Sequence, residues 1–242
     1  MSATTFRFKK FTVHQDRCAM KVGTDGVLLG AWIKANQNTA RILDVGSGTG
    51  VISLMMAQRH PLAEIDGVEL DSEAFEQCVE NFEQSPWDTN LYNYHASFQE
   101  FAPEIEERYD LIISNPPFFN HGESPVNPRK IARDRTTLPL EALVSGANQL
   151  LSDDGRLALI LPIEQETSLR LLLQQFNFTI TRMTRVRGNA QGPIKRILVE
   201  CNRVTPENRR QEGTVDELII ERHRHVYTEQ YQELVLEFYL KM

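Results

Sequence analysis

The stretch RILDVGSGTGVIS, residues 41–53, changes character twice within a few positions. It opens as an apolar run around Asp44, places glycine at Gly46, Gly48 and Gly50, and turns apolar again at Val51. A short apolar run closed by glycines reads as a buried strand over residues 41–46, and the spacing from Val51 to Arg59 reads as a helix. Glycine at such a junction lets the backbone turn sharply and approach a ligand, with free helix N–H groups pointing outward. A tight strand-to-helix turn can also use glycine for its geometry alone, so the loop gains meaning only from its surroundings.

Those surroundings repeat the alternation. EIDGVEL (64–70) reads as a second strand and residues 72–84 as a second helix capped by Ser72; NLYNYHA (90–96) is a weaker strand and YDLIISN (109–115) a strong one. A helix over 138–151, a strand GRLALILP (155–162) and a helix over 165–175 follow. The β-rich runs FTITRMTRVR (178–187) and IKRILVECNRV (194–204) are joined by the turn-like GNAQGP. Alternating strands and helices predict an α/β fold with a doubly wound, mainly parallel sheet, and the closing hairpin-like pair puts an antiparallel strand near its end. The chain is read as one domain, 1–242: a core over 41–204, a covering segment over 1–40 and an extension over 205–242 ending in a helix. Tyr231, Leu234, Val235 and Phe238 give that helix an apolar stripe for docking on the body.

Composition narrows the function classes. The chain has 242 residues, 41% of them hydrophobic, enough for a sizeable core. A net charge of -7 argues against indiscriminate polyanion binding while leaving local basic patches open. Cys18, Cys78 and Cys201 form no CxxC pair, so neither a disulfide framework nor a zinc knuckle is expected, and no metal is assigned. The opening MSATTFRFKK lacks a signal-peptide core and no run is long enough to span a bilayer, so a soluble, cytoplasmic protein with no membrane partner is expected.

The glycine loop is not the dinucleotide fingerprint, because Val51 stands where G-x-G-x-x-G needs its last glycine. No Gly-Lys-Ser/Thr follows, which removes a Walker loop. Glu69 ends the second strand, where a doubly wound sheet faces its cofactor crevice and a carboxylate can accept both ribose hydroxyls. DVGSGTG followed by that acidic strand end resembles the class I methyltransferases that bind S-adenosylmethionine, over about residues 42–204. The resemblance implies a Rossmann-like sheet, with Gly46 and Gly48 lining the methionine portion, Glu69 holding the ribose and Asp44 among the cofactor-binding residues. Many relatives carry an aspartate after the third strand; HASFQEF offers Ser97, Phe98 and Gln99 instead, and Phe98 is assigned to stack on the cofactor adenine.

At the end of the fourth strand, DLIISNPPFFNHGES (110–124) places an uncharged amide, two prolines and two phenylalanines where a buried strand surfaces. An exocyclic amine on a planar base is a poor nucleophile, because its lone pair is delocalised into the ring. Two acceptors on its hydrogens rotate and pyramidalise the nitrogen; the Asn115 side-chain oxygen and the Pro116 carbonyl are suited to this. The prolines fix the turn and remove competing N–H donors, and Phe118 offers a stacking face worth roughly 1–3 kcal/mol. The motif resembles the Asn-Pro-Pro-aromatic signature of methyltransferases acting on adenine N6, guanine N2 or the glutamine amide. That resemblance makes Asn115, Pro116 and Phe118 catalytic, with Asn115 also touching the cofactor and Phe119 lying beside the substrate.

The flanks sharpen the resemblance. FTVHQDRCAMKVGTDGVLLGAW (11–32) and the final YTEQYQELVLEFYL look like the bacterial tRNA1(Val) (adenine-37 N6)-methyltransferase family. Membership implies a tRNA substrate and a residue 21–26 segment over the cofactor, with Lys21, Thr24 and Asp25 touching it; the alternative is that Thr24 or Asp25 merely caps a helix running to Ile33. Arg129, Lys130 and Arg133, just past the motif, are assigned to RNA phosphates, and the run from Arg182 to Arg196 is expected to form a second basic bank. Guanine-N2 methylation of rRNA, protein-glutamine methylation and a non-catalytic RNA-binding module are the competing functions.

Overall fold

The computed structural model describes residues 4–34, 36, 39–117, 138–206 and 213–241. Two short strands, β1 (Thr5–Arg7) and β2 (Thr12–His14), pair antiparallel at the start. Helix α1 (Thr24–Trp32) then leads into the alternating core of β3 (Arg41–Val45), α2 (Val51–Arg59), β4 (Glu64–Glu69), α3 (Ser72–Glu83), β5 (Leu91–His95), α4 (Phe98–Glu104) and β6 (Tyr109–Ser114). After the segment outside the described residues come α5 (Leu140–Leu150), β7 (Leu151–Pro162), α6 (Glu166–Gln175), β8 (Phe178–Asn189), β9 (Ile194–Arg203), β10 (Thr214–His223), β11 (Val226–Tyr227) and α7 (Glu229–Val235).

The strand sequences alternate apolar side chains to both faces, and both faces are covered. Ile42, Leu111 and Ile113 pack to one side with α1, α2 and the C-terminal Tyr231, Val235 and Phe238; Leu43, Val45 and Ile112 pack to the other with α4, α5 and α6. The sheet runs β11-β10-β8-β9-β7-β6-β3-β4-β5. Strands β5 through β7 are parallel, and β9 lies antiparallel between β7 and β8, the departure expected from the hairpin-like pair. Strand β10, which the sequence reading omitted, adds in parallel beside β8. Its residues TVDELIIERH are mostly polar and exposed, and the short apolar run Leu218–Ile220 buries only Leu218 fully, with charged residues on both sides.

Local caps differ from expectation at two helices. Asp71, not Ser72, caps α3, accepting from the Ala74 N–H at 2.9 Å. Neither Thr24 nor Asp25 caps α1; Gly23 occupies the cap position with no side-chain bond. Helix α1 is buried from Gly26 through Trp32, because it packs against α2, β7 and the C-terminal helix α7, with Gly30 allowing the Met55 side chain to lie directly against its backbone. The short helix α4 also escaped the sequence reading, although Ser97 and Glu100 form a capping box at its start. Among the described residues, no helix is long and apolar enough to cross a membrane.

Candidate active site

The sheet's direction of growth reverses between β3 and β6, and three carboxyl strand ends meet there. Register fixes which residues emerge together. Val45, the last residue of β3, pairs with Val68 of β4 on one side and Ser114 of β6 on the other. The next residue of each strand is therefore Gly46, Glu69 and Asn115, in one row with strand spacings of about 4.8 Å.

Gly46, Gly48 and Gly50 have φ values of 76°, 55° and 76°, in the region that side chains disfavour. Their surroundings separate them. A Cβ on Gly46 would meet nothing within 4 Å, and one on Gly48 would meet only the Gly46 carbonyl at 4.0 Å. A Cβ on Gly50 would strike the Phe82 ring at 2.6 Å and the Cys78 sulfur at 2.9 Å. Gly46 and Gly48 thus keep a cradle open, whereas Gly50 lets α3 close on the loop.

Glu69 is already oriented: one carboxylate oxygen accepts from the Gly48 N–H at 2.8 Å and the other from the Asp71 N–H at 2.9 Å. Asp44 is fully buried beneath the loop, and its Oδ2 accepts from the Ser53 N–H at 3.1 Å and hydroxyl at 2.7 Å. Its Oδ1 has no partner. Burial pushes the Asp44 carboxyl up to about 6, against the stabilising bonds from Ser53. The Glu69 charge lies near enough to add, after burial, to the cost of ionising Asp44.

Helix α1 approaches this row from the other side. A Cβ on Gly26 would lie 3.8 Å from the Asn115 amide nitrogen and 3.5 Å from Val51. Asn115 is half-buried, Pro116 buried and Pro117 exposed. The segment before α1 is clipped to α3 by two buried amides. Asn81 accepts from the His14 N–H at 2.8 Å and donates to the carbonyls of His14 and Thr49, both at 2.9 Å; Gln77 accepts from the Arg17 N–H at 3.0 Å. Asn81 thereby ties the N-terminal segment to the glycine loop itself.

The family described as "Methyltransferase small domain" matches residues 21–185. A protein from Christiangramia forsetii named tRNA1(Val) (adenine(37)-N6)-methyltransferase is 47% identical over 100% of both chains. Proteins of the same name from Flavobacterium johnsoniae and Proteus mirabilis are 47% and 39% identical, covering 98% and 97% of this chain and 100% and 93% of their own. The chain belongs to the tRNA1(Val) (adenine(37)-N6)-methyltransferase family. Among solved structures, a predicted O-methyltransferase from Agrobacterium tumefaciens matches with a TM-score of 0.69 at 20% identity, covering 88% of this chain and 96% of its own. TrmN from Thermus thermophilus matches at 0.54 and 21% identity, covering 74% of this chain and 48% of its own. These two likenesses speak for the fold.

In this member of the family, the residues assigned from sequence divide into four groups. Asp44, Gly46, Gly48, Glu69, Asn115 and Pro116 gather at the switch point. Lys21 is exposed on the covering segment, Thr24 is exposed at the first turn of α1, and the Asp25 carboxylate accepts from Arg196 at 2.8 Å. Phe118, Phe119, Arg129, Lys130 and Arg133 lie outside the described residues. Phe98 sits elsewhere than a stacking face requires: its ring is buried, packed so closely on α5 that a Cβ on Gly146 would lie 2.4 Å from it. Leu70, which sequence reasoning passed over as a strand end, stands exposed directly after Glu69.

The second basic bank does not form along the Arg182–Arg196 hairpin. Arg182 is stacked 3.6 Å over the Trp32 ring and paired with Glu200; Arg185 pairs with Glu166, Arg187 with Glu217 and Arg196 with Asp25. Acidic partners from distant parts of the chain consume the charges, which a local count of basic residues could not anticipate. Lys195 is exposed. Among the described residues, no cluster of three or more histidine, cysteine or acidic side chains is arranged to hold a metal.

Proposed function

We propose that this chain transfers a methyl group from S-adenosylmethionine to the exocyclic N6 amine of an adenine in tRNA, adenine 37 of tRNA1(Val), acting as a single catalytic unit over residues 1–242. The observation that carries this reading is the row of Gly46, Glu69 and Asn115 in a chain similar over its full length to enzymes named for that reaction.

The residues present fit the cofactor. Gly46 and Gly48 leave a cradle that side chains would fill, Glu69 presents a fixed carboxylate for ribose hydroxyls, and the orphaned Asp44 Oδ1 can receive a cationic group. Leu70, rather than Phe98, supplies an exposed apolar face beside the ribose carboxylate for the adenine. The bound cofactor supplies an electrophilic methyl on a sulfonium, so the protein need only position and polarise the acceptor.

Asn115 performs that positioning. Its amide oxygen and the Pro116 carbonyl accept the two amine hydrogens, turning the nitrogen lone pair toward the methyl as conjugation with the ring is lost. Pro116 is buried, which fixes the carbonyl, and Gly26 closes one side of the amide. Phe118 stacks on the base. An adenine in a loop is extruded at lower cost than one in a duplex. Buried Pro116 and the α1 cover also keep water from the acceptors, which strengthens both hydrogen bonds.

The test is methyl transfer from labelled S-adenosylmethionine to tRNA lacking the modification, followed by nucleoside mass spectrometry. N6-methyladenosine is expected. N2-methylguanosine, methylglutamine in a protein substrate, or no product would each overturn the reading.

A further inference from the structure

Beside the first turn of α1 lies an open groove of about 560 Å³ that the catalytic row does not use. Phe6, Thr24, Glu221, Tyr227, Tyr239 and Lys241 line it, so it is assembled from both ends of the chain and from β10 and β11. Its volume is that of a small-molecule site, and its walls are aromatic. Phe6, Tyr227 and Tyr239 are all half-buried, which leaves ring surface open to solvent. The rings are held from behind. Tyr239 packs against Phe6 and Phe8 with centroids 5.9 Å away, and Tyr227 leans on Tyr231 at 5.2 Å. A preformed platform loses little side-chain freedom on binding.

The groove lies one helix diameter, roughly 10 Å, from the chemistry: Thr24 lines it, and Gly26, two positions on and so on the opposite face of α1, lies against Asn115. Charge at the rim suits a polyanion: Lys241 and, on the neighbouring hairpin, Lys195 are exposed with no ion-pair partner among the described residues. The nearby arginines are consumed by acids. The one acid in the lining, Glu221, accepts from the His225 N–H at 3.3 Å and can serve as an acceptor for a base amine.

Resting on the reading of the chain as a tRNA methyltransferase, we infer that this groove holds a second nucleobase, the unpaired neighbour of the target adenine. The base stacks on Tyr227 and Tyr239, and Lys241 contacts its phosphate. Stacking on an aromatic is indifferent to base identity, so the groove measures strand geometry and sets which extruded adenine reaches Asn115.

The experiment uses an anticodon stem-loop carrying 2-aminopurine on one or the other side of the target adenine, whose fluorescence is quenched on stacking. Quenching is expected for one of the two probes with the wild-type protein and is expected to vanish with Tyr227→Ala. That variant should raise the tRNA KM by about tenfold and leave the S-adenosylmethionine Kd unchanged. Lys241→Glu, at an exposed residue, should raise the KM and steepen its rise with salt less than wild type. If Tyr227→Ala lowers the melting temperature, the Lys241→Glu result decides, and an unchanged KM overturns the inference. A wild type that methylates tRNA while quenching neither probe overturns it too. A wild type that methylates no tRNA at all removes the functional reading first, and this inference with it.

Discussion

Below about pH 6 the Asp44 carboxyl should take up a proton, and both fold stability and cofactor affinity should register it. The group is fully buried, and burial raises it from 3.8 to about 6. A raised carboxyl destabilises the folded state where it is ionised. The associated stability is therefore fully present below about pH 4 and lost as pH rises through about 6. Across the whole window the difference of about two units corresponds to about 3 kcal/mol. Between pH 5.0 and 7.5 the wild type should lose about 1.4 kcal/mol from this residue alone. Urea unfolding of wild type and Asp44→Asn at both pH values isolates it, because the other titrating groups cancel in the double difference. Asparagine keeps an acceptor for the Ser53 N–H and hydroxyl but does not titrate. Cofactor binding runs the other way: a cation beside Oδ1 favours the carboxylate, so binding near pH 6 should release a proton and weaken as pH falls. Calorimetry in two buffers of different ionisation enthalpy measures that proton. A double difference below about 0.3 kcal/mol, or one of opposite sign, would refute the burial argument; absence of proton release would remove Asp44 from the cofactor site.

Four further outcomes are expected. Asn115→Ala should fold normally and lose turnover by on the order of a hundredfold; single-turnover kinetics within a few-fold of wild type would end its orienting role. Glu69→Ala should weaken S-adenosylmethionine binding about tenfold or more, since it removes a charged acceptor already aligned by Gly48 and Asp71; an unchanged calorimetric Kd would exclude it. Gly50→Ala should lower the melting temperature more than Gly46→Ala, because both pay a left-handed penalty of about 1–2 kcal/mol but only Gly50 meets Phe82 and Cys78. Gly46→Ala should show the larger loss of cofactor affinity, and the reverse ranking would contradict the assignment of the two glycines. Charge reversal at Arg129 and Lys130 should raise the tRNA KM and flatten its salt dependence while sparing cofactor binding; an equal effect from reversing Arg59, which is held by Glu237 and the carbonyls of Gly30 and Ile33, would show the field to be diffuse.

The sequence alone determined the alternating core, the glycine loop, the acidic end of β4 and the amide at the end of β6. Each is written locally: an apolar run, a glycine series or a polar residue at a strand end shows itself within a window of a few residues. Register, strand order and charge pairing are not local. That Gly46, Glu69 and Asn115 form one row follows from β3 lying between β4 and β6, a consequence of how both faces of the sheet are buried. Phe98 reads from sequence as a ring free to stack on the cofactor, because it follows the third strand where relatives carry an aspartate, yet it is buried against Gly146 in the core. The arginines of β8 and β9 read as a basic bank, yet folding brings Glu166, Glu200, Glu217 and Asp25 to them, and a buried or half-buried guanidinium is stable only with such partners. Asn81 looked like any polar position on α3, and only the approach of the N-terminal segment and the glycine loop gave its amide three backbone groups to bind. Burial decided these outcomes, because desolvation makes a polar group take whichever partner the fold brings within reach.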